Sequence, residues 1–195
     1  MPKKSKYKLS VLGLTLISIS FSLQILADVN PLGTTRGTTL GGSSPYTNEG
    51  TISGPIYGIS TNTDNGATVT NSGTIAVTGA NNHGIVTNGD NPSITNSGLI
   101  TTSGGASAGI ANWGAANGTF TNTLSGVINA SGTNAWGLSL LNLNFSIFNY
   151  GTITSSGTLS MAISFAGGGN LTNDGIIDSS GGSYSAIWTN TGVTI

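Results

Sequence analysis

Apolar residues recur in this chain at fixed places within a unit of about 25 residues, and Ser, Thr, Asn and Gly fill the places between. The clearest marker is Asn-x-Gly-x-Ile. It occurs as Asn48–Ile52, Asn71–Ile75, Asn96–Ile100, Asn149–Ile153 and Asn173–Ile177, and a copy longer by two residues runs from Asn122 to Ile128. Successive marker Asn residues stand 23, 25, 26, 27 and 24 apart. Two residues before each is a large apolar residue: Tyr46, Val69, Ile94, Phe120, Ile147 or Leu171. Gly79, Gly104, Gly132, Gly157 and Gly181 follow the marker Ile by four, whereas Gly54 follows Ile52 by two. Beyond these glycines come Ile59, Ile85, Ile110, Leu138, Ile163 and Ile187.

This spacing predicts strands. The apolar residue, Asn, Gly and Ile are spaced by two, so they share one face, and the intervening Thr and Ser share the other. Each unit is too short and too polar to bury a core alone, but stacked units bury one continuous core. The expected fold is all-β, a parallel β-helix of about six coils over residues 46–195, about 29 Å long at a rung spacing near 4.8 Å. Helices are disfavoured because Gly punctuates the chain every few residues. Nearly all the length variation lies between the last Ile or Leu of a unit and the next Gly of the Asn motif, which puts the variable loops on one side.

Asn48, Asn71, Asn96, Asn122, Asn149 and Asn173 admit two readings. Asn tolerates left-handed backbone and bonds to nearby main chain, so they can be six independent surface turns. Placed at one corner of every coil, their amides can instead form a structural ladder.

Charge adds an address. Lys3, Lys4, Lys6 and Lys8 precede an apolar stretch from Leu9 to Leu26, and Ala27 stands just before Asp28. Residues 1–27 read as a secretory signal peptide, and 28–45 as an N-terminal lead-in or cap. The chain is thus expected to be exported through the inner membrane, to the cell surface or outer membrane or into the medium. The remainder carries Arg36 against six acids, net −5, which argues against nucleic acid as a partner. The chain has no Cys, which excludes disulfides and thiolate metal sites.

Repeats such as Thr70-Asn71-Ser72-Gly73-Thr74-Ile75 and Thr95-Asn96-Ser97-Gly98-Leu99-Ile100 resemble the passenger domains of Gram-negative autotransporters. The likeness covers about residues 46–195 and the signal peptide. It implies a right-handed β-helix carried to the cell surface by a C-terminal outer-membrane barrel. It also implies a structural or adhesive role, with host or neighbouring-cell surface molecules or polysaccharide as partners. This sequence contains no barrel-like series of strands. Ile195 aligns with the pre-Asn residues, so the expectation is an apparently truncated stack whose full-length form includes the barrel.

Candidate chemistry is sparse. His83 is the single His, and any Ser-His-Asp triad would need it. Asp178-Ser179-Ser180-Gly181-Gly182 faintly resembles a serine-protease nucleophile segment but matches the ordinary Ser-Gly repeat position. Asp64 and Asp90 each lie five residues after an inward Ile. They are either a candidate calcium pair or two solvated loop acids. Trp113, Trp136 and Trp188 fall at different repeat positions, which favours packing over a shared binding row. Thr68, Thr70, Ser93, Thr95, Thr119, Thr121 and Thr172 flank the pre-Asn row on its outward side. We expect no catalysis and no cofactor. A β-helical polysaccharide-active enzyme and an ice- or surface-binding protein using the Thr row remain the alternatives.

Overall fold

A computed structural model describes residues 28–31, 35–36, 44–114, 117–141, 144–181, 184–190 and 192–195. The signal-peptide segment lies outside these residues. The described residues form a parallel β-solenoid with three sheets and no helix. In each coil the marker forms two short strands separated by a turn, and a third strand returns the chain. In the coil that begins at Ser93 these are Ser93–Asn96, Leu99–Thr102 and Ala108–Asn112.

Register is kept from coil to coil. On the first face Tyr46 pairs with Val69, Val69 with Ile94, Ile94 with Phe120, Phe120 with Ile147 and Ile147 with Leu171. On the second face Ile52, Ile75, Ile100, Ile128, Ile153 and Ile177 stack in the same way. On the third, Ile59, Ile85, Ile110, Leu138, Ile163 and Ile187 do so. These rows meet in one core that runs the length of the stack. Full burial of each such side chain contributes about 1.5–3 kcal/mol.

Among the described residues two of the three sheets extend one rung below the first marker. Asp28–Asn30 pairs with Tyr46–Asn48, and Thr35–Arg36 with Thr51–Ile52. Arg36 thus takes the place of the marker Ile, which hides this rung from a search for Asn-x-Gly-x-Ile. Gly54 pairs with Val77 within a strand, so it is not the counterpart of the turn residue Gly79.

Small residues set how closely the third strand approaches the core. Immediately before its inward Ile or Leu stand Gly58, Gly84, Gly109, Gly137, Ala162 and Ala186. A Cβ on Gly109 would collide with the Cγ2 of Ile128 and crowd the carbonyl oxygen of Gly137. Gly58, Gly84 and Gly137 meet the same obstacles, an Ile methyl and a neighbouring carbonyl.

The marker Asn residues are strand residues, and the left-handed backbone positions fall elsewhere. Asn81, Ala106, Asn134 and Leu159 occupy one shared position in the turn between the second and third faces, with φ of 56°, 53°, 54° and 58°. Asn91, Asn117 and Asn144 take it before the first face, with φ of 54°, 58° and 65°.

Candidate functional site

Inside the first corner the Asn side chains form a single chain of hydrogen bonds. The Nδ2 of Asn30 donates to the Oδ1 of Asn48, Asn48 to Asn71, Asn71 to Asn96, Asn96 to Asn122, Asn122 to Asn149, and Asn149 to Asn173. The distances are 2.7, 2.7, 2.8, 2.9, 2.9 and 2.7 Å. All but Asn173 are buried. Carbonyls fix the orientation of each amide. The Nδ2 of Asn96 also reaches the carbonyl of Gly98 at 3.2 Å, where an Oδ1 would be repelled. The backbone completes the corner, as the N–H groups of Ser72 and Gly73 both donate to the carbonyl of Asn48 one coil below.

Asp64 and Asp90 lie on neighbouring coils in the turn that leaves the third face. The two turns touch through main chain, with the Gly66 N–H donating to the Asp90 carbonyl and the Asp90 N–H to the Asn65 side chain at 2.7 Å. The Oδ2 of Asp64 accepts from the Ser44 N–H at 3.2 Å and from the Tyr46 hydroxyl at 3.3 Å. Burial, and then the Asp64 carboxylate, push the Tyr46 phenol up to about 12. Asp64 therefore ties the first apolar row to the turn. Among the described residues no three His, Cys, Asp or Glu side chains gather.

The outward Thr residues of the first face fall into register as two rows. Thr47, Thr70, Thr95 and Thr121 continue into Phe148 and Thr172. Thr68, Ser93 and Thr119 continue into Ser146 and Asn170. His83 and Ser179 stand on coils four apart, about 19 Å along the axis, so the protease-like segment has no imidazole beside it.

A groove of about 320 Å³ opens on the outside of the third face. Three repeat positions build it. The floor is the outward strand row, where Ala111 pairs with Ser139 and Ser139 with Ser164. One wall is the position two residues before the inward Ile or Leu, held by Tyr57, His83, Ala108, Trp136 and Met161 in successive coils. Ala108, fully buried, forms with Val86 and Ala111 a small apolar cluster against which Tyr57 and Trp136 pack. The other wall is the position three residues after the inward Ile or Leu, held by Trp113 and Leu141 on adjacent coils. The turn residues Asn81 and Ala106 close one end.

Trp113 is 43% exposed and meets His83, and Trp136 is half-buried and packs against Val86, Ala108 and Ala111, so both pack at the surface of the third face. Both line the same groove. Trp188, also exposed, pairs with Ser164 on the coil before it.

His83 is buried at the edge of this groove. It stacks on Tyr57, with centroids 5.7 Å apart and planes 8° apart, and meets Trp113 edge to face at 4.6 Å and 88°. Its Nδ1 accepts the Ala108 N–H at 2.9 Å, which places the imidazole hydrogen on Nε2. That Nε2 is buried without a hydrogen-bond acceptor among the described residues. Contact with an indole is a weak substitute. Burial pushes the imidazole pKa down to about 4, so His83 is neutral near pH 7. Lined by indoles, hydroxyls, an amide and this neutral imidazole, the groove can bind an uncharged ligand by stacking and hydrogen bonding. Neither Asp64 nor Asp90 lines the groove.

A family model for the third pectate lyase-like domain of BigA matches residues 17–195. No curated protein and no solved structure matches the chain. The matched region takes in every described strand of the solenoid, and the chain belongs to the family of BigA third pectate lyase-like domains.

Proposed function

We propose that this chain is a rod displayed on a bacterial surface, a passenger segment of the autotransporter kind, with a structural and adhesive role and no catalytic one. The observation that carries this reading is the uniform construction of the coils. The same apolar rows and Asn ladder repeat along the stack, which suits a stiff spacer. Membership of a family from bacterial surface proteins supports the location. The groove lining of indoles, hydroxyls and an amide supports binding by stacking and hydrogen bonding.

The test is display of the chain on non-adherent bacteria by fusion to an outer-membrane barrel. Cells should gain aggregation or surface attachment that disappears when protease shaves the rod. Displayed rod without either property would count against adhesion. Release of unsaturated or reducing ends from pectin-like polymers would replace this reading with the enzymatic one.

A second reading rests on the in-register row Thr47, Thr70, Thr95 and Thr121, whose rung spacing offers a regular hydroxyl and methyl array. Ice shaping and thermal hysteresis by the purified chain would support it, and their absence would remove it.

A further inference from the structure

We propose that the third-face groove is a binding site for neutral glycans, in which uncharged pyranose rings lie along the rod axis against Trp113 and Trp136. The proposal takes its biological setting from the adhesive reading above and adds the class of ligand.

Four observations select this ligand. The groove spans the coils from His83 to Ser164, about 14 Å at the rung spacing, which leaves room for more than one ring. Two indoles line it and supply flat apolar surface for the C–H face of a sugar. The hydroxyls of Ser139 and Ser164 lie in register along its floor. His83 lines the edge of the groove with a neutral imidazole and a buried Nε2–H that has no hydrogen-bond acceptor among the described residues.

The alternatives fit less well. An aliphatic peptide side chain would fill the apolar part and offer no polar partner to the Ser139 and Ser164 hydroxyls on the floor. An acidic sugar chain would find no Lys or Arg in the lining and a neutral imidazole.

The test uses the whole chain and follows tryptophan fluorescence on titration with neutral gluco- and manno-oligosaccharides, with polygalacturonate as the acidic comparison. A neutral glycan panel identifies the preferred ring. The expected result is saturable binding of a neutral oligosaccharide, and binding weakened about tenfold or more in Trp113→Ala and Trp136→Ala. Trp113→Phe, which keeps a ring, should retain more affinity than Trp113→Ala. Tyr150→Ala, an exposed aromatic on another corner, should bind like the parent. Melting curves establish that each variant is folded, and Trp113, being exposed, is the safer substitution if Trp136→Ala unfolds. Binding of free monosaccharides as tight as of oligomers would overturn the elongated site. No binding of any neutral glycan, preference for polygalacturonate, or unchanged affinity in folded Trp113→Ala would overturn the proposal. Any of these failures leaves the adhesive reading to its own test, whereas bond cleavage with intact groove binding would overturn only the non-catalytic reading.

Discussion

The Nδ1 of His83 accepts the backbone N–H of Ala108, one coil above, at 2.9 Å. Protonating that nitrogen breaks this bond and puts a charge in a buried ring stack. The unfolded chain takes up the proton near pH 6.5, and the folded chain only near pH 4. Between these values the unfolded state binds more protons, so stability falls as pH falls and is flat above the upper value. His83 is the chain's single His, so melting temperature should drop between about pH 7 and 5, a window in which carboxylates scarcely titrate. In His83→Leu the slope in this window should vanish, and an unchanged slope would show that another group is responsible.

The Asn ladder predicts unequal costs along its length. Asn96 is fully buried, and its amide both accepts from Asn71 and donates to Asn122. Asn96→Ala leaves both neighbours short of a partner and should cost about 1–3 kcal/mol, read from denaturant midpoints. Asn173 is exposed, and its loss should cost less because water reaches its neighbour. Equal costs at the two positions would argue against an interior network.

The small-residue row predicts a contrast between two nearby glycines. A methyl at Gly109 meets the Ile128 side chain and the Gly137 carbonyl, so Gly109→Ala should lower the melting temperature clearly. At Gly105 the nearest atom to an added Cβ is the Thr133 carbonyl oxygen, at an ordinary 3.5 Å, and Gly105→Ala should melt like the parent. Their order in thermal unfolding tests whether tight approach at Gly109 is real.

A stabilising change is expected at Leu159. It holds φ at 58°, where Asn81 and Asn134 stand in equivalent turns, and its side chain is exposed. Left-handed geometry costs an ordinary L-residue about 1–2 kcal/mol, and Asn carries it more readily. Leu159→Asn should therefore raise stability by about 1 kcal/mol, seen as a higher melting temperature. A fall would mean that the Leu159 side chain contributes packing that outweighs the strain.

The fold was legible because three inward rows repeat in every coil, and a period of two fixes which side chains face the core. The rung at Asp28–Asn30 was not legible, since Pro31 follows Asn30 and Arg36 stands where Ile is expected. The marker Asn residues read in the sequence as a ladder or as turn residues, and the left-handed turn positions fall instead at residues outside the marker such as Asn81, Asn91, Asn117, Asn134 and Asn144. The groove escaped the repeat reading for a different reason. Its walls combine positions two before and three after the inward residue, and each is aromatic in only some coils. Aligning those two positions finds His83 and Trp136 in one column, and Trp113 and Leu141 in the other. The hydroxyl of Tyr46 was likewise hidden, because its place in the apolar row conceals a phenol that reaches Asp64.

Every amide in the Asn series lends its hydrogen in the same direction, from the earlier coil to the later one. All the joints along the stack are therefore interchangeable. Duplicating or deleting one whole unit in the gene again leaves a donor below facing an acceptor above, with no new contact to invent. Such a molecule can evolve its reach in steps of one repeat, while the surface carried on any given coil diverges independently.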